Sequence, residues 1–309
     1  MSNLNEGASG VFVIAVTPFQ EDGSLDLAST DRMVDFYLEK GATGLTILGM
    51  MGEAPKLTAE EARTFVRRVL KRVDGRVPVV VGVSAPGLAP MGELSRSVMD
   101  EGASGVMVAP TPVLRTDDQI YAYYEMVVET LGRTPLVLQD FPLVTNVQIS
   151  VPVILRIVEA FPTCVMLKHE DWPGLSKISA LRAASDRGDA RRISILVGNG
   201  GIFLPEELGR GADGAMTGFA FPEMMVDVWR SHAAGDTERA RDLFDSYLPL
   251  ARYEQQPGIG LAIRKHILAK RGAIASATVR KPGGRLSALD VAEVEQLMAR
   301  QARRLSSIS

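Results

Sequence analysis

Lys168 closes an apolar run, Thr163-Cys164-Val165-Met166-Leu167, and is followed by His169-Glu170-Asp171-Trp172-Pro173-Gly174. That is the pattern of a lysine at the tip of a buried strand. Desolvation disfavours an ammonium, and a neutral amine is a nucleophile that can attack a carbonyl carbon to form a Schiff base. The same position also suits a lysine that lays its stem on apolar surface and pairs with Glu170 or Asp171. Glu170 lies two residues on, and residues i and i+2 of an extended segment share a face. Its carboxylate can therefore enter the same cavity as the amine, either as a general base or as the partner in a structural ion pair.

Other apolar runs also end in residues suited to a site. Gly49-Met50-Met51-Gly52-Glu53 follows one of them. Its glycines let a ligand approach the backbone, and successive amides in such a turn can bind a carboxylate, although a plain tight turn reads equally from the motif. Gln139-Asp140-Phe141-Pro142 follows another and sets two polar side chains where apolar ones stop. Asp140 reads first as a turn residue satisfying backbone amides, and second as a partner of Gln139 in holding a water near the amine. Gly198-Asn199-Gly200-Gly201 and Met216-Thr217-Gly218-Phe219 close two later runs, again with room for close backbone approach.

The elements that must position these residues are short β-branched runs separated by amphipathic segments, the mark of parallel β/α units. Eight strands are predicted, at 11–16, 44–48, 77–81, 105–109, 135–139, 164–168, 193–197 and 214–217. Helices are predicted at 31–40, 59–73 and 120–131 among others. Thr58 with Glu61 three residues later has the form of a capping box. Eight such units close into a (β/α)8 TIM barrel, with the chemistry at the carboxyl ends of the strands. An open doubly wound sheet would carry a glycine-rich dinucleotide fingerprint after its first strand, and Thr17-Pro18-Phe19 stands there instead. Four further helices, at 224–232, 236–250, 259–270 and 286–303, are expected beyond the barrel, with Pro249, Pro257 and Pro282 punctuating them. The chain thus divides into a barrel over 1–222 and a C-terminal helical extension over 223–309.

Composition narrows the class of function. The 309 residues are 46% hydrophobic and 23% charged with a net charge of -3, which supports a large core and gives no basic field for nucleic acid. No stretch approaches the length and apolarity of a membrane span, and the N-terminal residues lack the pattern of a secretory signal, so a cytoplasmic protein is expected. The lone Cys164 reads as core packing. His169, His232 and His266 have no metal-ligand spacing, so neither metal nor cofactor is expected.

Taken in order and spacing, these motifs resemble the dihydrodipicolinate synthase and N-acetylneuraminate lyase superfamily across nearly the whole chain. They include Ala15-Val16-Thr17-Pro18-Phe19, the stretch from Gly102 to Pro110, the glycine turn ending in Glu53, the strand-ending Lys168, Gly198-Asn199-Gly200-Gly201 and Gly214-Ala215-Met216-Thr217-Gly218. The resemblance implies a barrel with added helices, assembled as a tetramer or dimer. It implies that Lys168 forms a Schiff base with pyruvate or another 2-oxo acid, that Gly49, Met50, Met51 and Gly52 bind its carboxylate, and that Asn199, Gly200, Met216 and Thr217 shape the pocket.

The departures matter as much. The lysine-biosynthetic synthases read G-T-T-G-E and L-Y-N-x-P-x-R-T-G, supplying a tyrosine relay and a carboxylate-binding arginine. This chain has Met50 and Met51 in the first motif, and Gln139 and Val144 at the tyrosine and the arginine of the second. The segment Ala109-Pro110-Thr111-Pro112-Val113 offers no second tyrosine. Methionine and glutamine carry no titratable proton, so that relay cannot run here. Gln139-Asp140, Lys168-His169-Glu170, Phe221-Pro222 and the segment from Glu254 to Ile259 resemble instead the L-2-keto-3-deoxyarabonate dehydratase-like members. The reading is a lyase in which Lys168 is the nucleophile, with Glu170 or a water held by Gln139 and Asp140 as the base. An aldolase of the same superfamily and a non-catalytic 2-oxo-acid binder are the alternatives.

Overall fold

The structure, a computed structural model, describes residues 4–172 and 174–308. Met1 to Asn3 of the N-terminal segment and Pro173 of the turn after Lys168 lie outside the described residues. The strands are β1 (Gly10–Ile14), β2 (Gly44–Ile47), β3 (Val79–Gly82), β4 (Gly105–Val108), β5 (Leu136–Asp140), β6 (Cys164–His169), β7 (Ser194–Val197) and β8 (Gly214–Thr217). Each pairs in parallel with the next, and β8 pairs with β1 to close the (β/α)8 TIM barrel.

Around the barrel run α1 (Leu27–Glu39), α2 (Ala59–Val73), α3 (Leu88–Asp100), α4 (Asp117–Leu131), the single turn α5 (Pro142–Thr145), α6 (Val151–Ala160), α7 (Leu175–Asp186), α8 (Leu204–Gly209) and α9 (Pro222–Ala233). Beyond them come α10 (Thr237–Glu254), α11 (Gly260–Lys270) and α12 (Ala288–Ile308). Among the described residues no helix is long and apolar enough to cross a membrane.

Local chemistry sets these boundaries. The Thr58–Glu61 capping box is formed in both directions, so α2 starts where the sequence indicates. α1 and α4 start earlier than their apolar periodicity suggests, because Asp26 and the Thr116–Gln119 box cap them from polar residues upstream. Pro249 does not interrupt α10, contrary to the expectation that it would. Leu250 and Ala251 beside it are buried, and their packing outweighs the lost backbone hydrogen bond. α9 packs against β1 and α8 as the last helix of the barrel wall. The expected division after residue 222 therefore falls at the opening of a wall helix, leaving α10, α11 and α12 beyond it.

The pleat sorts the core into two layers. One face of the strands, with Val11, Leu45, Val79, Val106, Leu138, Cys164 and Ile195, packs against the helices. The other, with Phe12, Ile14, Val80, Met107, Val137, Met166, Leu196 and Met216, fills the barrel lumen. The Phe12 ring lies over Gly44, where a Cβ would come within 2.5 Å of it, so one large residue fills the space the other leaves. Cys164 is fully buried, and burial pushes its thiol up to about 12, consistent with a packing role. Between β5 and β6 the register shifts, so that Leu136 faces Cys164 but Val137 faces Met166.

The outer helices are joined to the barrel by a buried ion pair. Arg264 Nε donates to Glu254 Oε1 at 2.6 Å, Arg264 Nη2 donates to the Gly218 carbonyl at 2.5 Å, and the Ala220 N–H donates to Glu254 Oε2 at 3.0 Å. Residues from α10, α11 and the end of β8 are thereby fixed together. Replacing Arg264 with leucine strands a buried carboxylate, and the expected loss is about 3–5 kcal/mol of unfolding free energy. Urea denaturation of the variant against the parent chain measures it.

Candidate functional site

The site stands at the carboxyl ends of β5 and β6, where the register pairs Gln139 with Lys168 and Asp140 with His169. Alternation sends Gln139 and Lys168 inward, and Glu170, two residues beyond Lys168, follows on the same face. Lys168 Nζ lies 3.0 Å from Glu170 Oε2, with both side chains buried. Gln139 Nε2 donates to the same Oε2 at 2.7 Å, so one carboxylate oxygen is held by an amine and an amide from adjacent strands.

Glu170 is confined from its other side by the chain after β7. A Cβ at Gly198 would sit 2.1 Å from Glu170 Cγ and 2.6 Å from Oε1, so the carboxylate occupies the space a side chain would need. Asn199 Nδ2 donates to the Glu170 carbonyl at 3.3 Å. Asn199 and Gly200 both adopt positive φ, 52° and 66°. This bend brings the Gly200 N–H to 2.8 Å from Thr217 Oγ1.

Asp140 requires a correction. The sequence reading gave it first a turn role, satisfying backbone amides, and second a place with Gln139 around a catalytic water, but the pleat turns it to the outer face, away from the Lys168 amine. There it is fully buried, with Lys177 Nζ at 2.7 Å and His169 Nδ1 at 3.5 Å from its Oδ2. Lys177 also reaches Asp171 Oδ2 at 2.7 Å and the Ile149 carbonyl at 2.7 Å. This cation ties the end of β5 to the segment after β6 and so fixes Gln139 and Glu170 from behind. Thr217 likewise holds the Asn199–Gly201 turn with its hydroxyl, whereas Met216 lies in the lumen.

The turn after β2 is a single 3-10 turn over Met50–Gly52. The Gly52 N–H bonds the Gly49 carbonyl and the Glu53 N–H bonds the Met50 carbonyl. The N–H groups of Met50 and Met51 precede those donors in the turn, and turn-opening amides have no acceptor within the turn itself. Thr17 Oγ1 donates to the Gly52 carbonyl at 2.5 Å. Met51 packs against the lumen residues, and Met50 is exposed.

What holds this turn escaped the sequence reading. Glu53, in a left-handed conformation with φ 56°, is buried and accepts from Lys265 Nζ at 2.6 Å, Lys56 Nζ at 2.8 Å and the Arg280 N–H at 3.0 Å. Lys265 also donates to the Thr17 and Thr278 carbonyls, each at 2.8 Å, and burial lowers its pKa to about 8. Arg280 reaches Glu61 with two nitrogens, at 2.6 and 2.8 Å. A glutamate among turn glycines was the visible signal, but two of its three partners, Lys265 and Arg280, lie more than 200 residues away and no local pattern points to them. Gln255, quoted only as part of a motif, packs over Gly200, where a Cβ would meet its Nε2 at 2.1 Å.

A (β/α)8 barrel with a buried amine and carboxylate where its sixth strand ends is the class this fold and site define. The model of the dihydrodipicolinate synthetase family matches residues 7–301, and the chain belongs to that family. It is 30% identical over 277 residues to the L-2-keto-3-deoxyarabonate dehydratase of Azospirillum brasilense, covering 88% of each chain. It is 29% identical over 260 residues to the 4-hydroxy-tetrahydrodipicolinate synthase of Parabacteroides distasonis, covering 81% of this chain and 82% of that one. A crystal structure of a dihydrodipicolinate synthase from Rhodopseudomonas palustris is 51% identical, with a TM-score of 0.95 over 97% of this chain and 100% of that one.

Two variants examine the supports of the site. Gly198→Ala is expected to displace the Glu170 carboxylate and break its contacts with Lys168 and Gln139, which a crystal structure of the variant checks. Circular dichroism on the same sample checks that the fold persists. The second test is of pH. The hydrogen bonds from Arg280 hold the Glu61 carboxyl at about 2, below its ordinary 4.5. A depressed folded pKa gives stability that is complete above 4.5 and is lost as pH falls through about 2. In Arg280→Gln, the fall of the melting temperature between those pH values is expected to be shallower than in the parent chain.

Proposed function

We propose that this chain is a Schiff-base lyase of 2-oxo acids, removing water from a 4-hydroxy-2-oxo acid of the kind represented by 2-keto-3-deoxy sugar acids. The observation that carries the reading is the Lys168–Glu170 contact of 3.0 Å in a buried site at the strand ends. The similarity to the Azospirillum brasilense dehydratase supports the choice of reaction.

In this reading the Lys168 amine adds to the C2 carbonyl carbon and water leaves, forming a protonated imine. The imine withdraws electrons from C3, whose proton passes to the Glu170 carboxylate to give an enamine. The enamine then expels the C4 hydroxyl, which departs as water with one proton. Hydrolysis of the conjugated imine releases an unsaturated 2-oxo acid and restores the amine, for a net loss of one water. The Met50 and Met51 amides bind the substrate carboxylate, and Gln139 holds the Glu170 oxygen towards C3. Gln139, Met50, Met51 and Val144 argue against the tyrosine relay and arginine of the lysine-biosynthetic reaction.

Aldol cleavage is the second reading, because the protonated imine equally takes up the C3–C4 electron pair: the C4 hydroxyl gives its proton to the base, the C3–C4 bond breaks, an aldehyde leaves, and the enamine of pyruvate remains on Lys168. The apolar side chains of Leu143 and Val144 beside the site favour cleavage where the departing aldehyde is itself of low polarity. Product analysis separates the two, as only the aldolase releases pyruvate.

The test is borohydride reduction in the presence of pyruvate or a 2-keto-3-deoxy sugar acid, with intact mass and peptide mapping. A single adduct on Lys168, absent from Lys168→Ala, is expected. Glu170→Gln should still trap the imine but turn over about 10²–10⁴-fold more slowly, the usual contribution of a positioned base. No adduct with any 2-oxo acid would overturn the reading in favour of a binding protein.

A further inference from the structure

Over the mouth of the barrel lies a cavity of about 620 Å³ that the proposed chemistry at Lys168 does not by itself require. It adjoins the site through Met51, which packs on the lumen residues, and Asn199, which bonds the Glu170 backbone. Phe141, Val144, Trp172, Ile202 and Leu261 line it as well. Among the described residues no lysine or arginine lines it.

Three of the polar side chains along its wall, those of Asn199, Glu254 and Gln256, bond within the protein. Among the described residues Glu254 is the one charged lining residue, and both of its oxygens are taken, by Arg264 and by the Ala220 N–H. Gln256 Nε2 donates to the Tyr253 carbonyl at 2.8 Å, and the Gln255 amide packs over Gly200. A ligand hydroxyl entering this space would give up water for few donors or acceptors, and unpaired polar burial is costly. Large apolar side chains nevertheless stand open to solvent at this mouth. Leu143 is 62% exposed, Val144 49% and Trp172 43%. Exposed apolar surface gathered at a concave opening is the form of a ligand site, and the volume lies in the range of sites that enclose a small molecule.

We infer that this vestibule selects 2-oxo acids whose group beyond C4 is apolar, of branched-alkyl or aryl size. The inference rests on the Schiff-base chemistry of that reading and departs from it at the distal group of the substrate. Such acids share their reacting end with 2-keto-3-deoxy sugar acids and differ from them at the distal end, where Trp172, Leu261 and Val144 make the contact.

The test measures kcat/KM for a 4-hydroxy-2-oxo acid with a phenyl group at C4, one with an isopropyl group there, and a 2-keto-3-deoxy sugar acid. Disappearance of the 2-oxo acid is followed so that dehydration and cleavage both register. Either apolar substrate is expected to exceed the sugar acid by at least about tenfold, the discrimination available from a few methylenes in an apolar pocket. Val144→Arg and Trp172→Gln, at exposed positions, should each shrink that ratio. A sugar acid turned over as well as the apolar pair, with Lys168 still trapped by pyruvate, would overturn the inference and leave the Schiff-base reading standing. Absence of trapping with pyruvate would overturn both. Sedimentation of the variants supplies the remaining check. A change of oligomeric state with the substrate ratio unaltered would assign these apolar residues to an interface between copies and overturn the inference.

Discussion

The parity of two neighbouring strands governs this molecule. Gln139 and Lys168 stand opposite each other in a closed parallel ladder, so both must point into the lumen together, and Glu170 must follow two residues later. The register shift between Leu136 and Val137 helps set that parity, since it brings Val137 level with Met166. A slip of one residue in β6 would turn Lys168 into the helix layer and bring His169 inward. Because the barrel is closed, such a slip would have to be absorbed by β7 as well. The position of the reactive groups is therefore secured by the whole ladder rather than by the loops that carry them.

Around that ladder the charged residues divide into two kinds of work. Lys168 and Glu170 form the inner pair. Lys177 with Asp140 and Asp171, Lys265 with Glu53, and Arg264 with Glu254 lie outside the lumen and pin the loops from behind. Such pairs contribute modestly to net stability once desolvation is counted. Their directional bonds fix loop conformations, and that is what a site built from five strand ends needs.

Much of this was legible in the sequence because it is local. Strand count, the Thr58 cap, the strand-end lysine and the Lys168–Glu170 spacing all follow from short-range periodicity, and they lead to the barrel and its inner pair. Asp140 was misjudged because its neighbour Gln139 has similar polarity, and the pleat sends the two in opposite directions. Pro249 was misjudged because burial of the residues beside it outweighs a local propensity. The distant partners of Glu53, Lys265 and Arg280, were not legible at all, since contacts across more than 200 residues leave no periodic trace. Trp172 and Leu261 stand far apart in the chain and line one cavity only once the barrel has closed.

The Glu53–Lys265 bond also orders events in time. Its two ends are separated by 212 residues. A ribosome adding 5–20 residues per second needs roughly 10–40 s to travel from one to the other. Through that interval the turn carrying Met50 and Met51 lacks its main anchor, and Thr17 lacks the ammonium that binds its carbonyl. The nascent chain thus holds Lys168 well before it holds a finished turn, so the amine is made long before the wall opposite it can set.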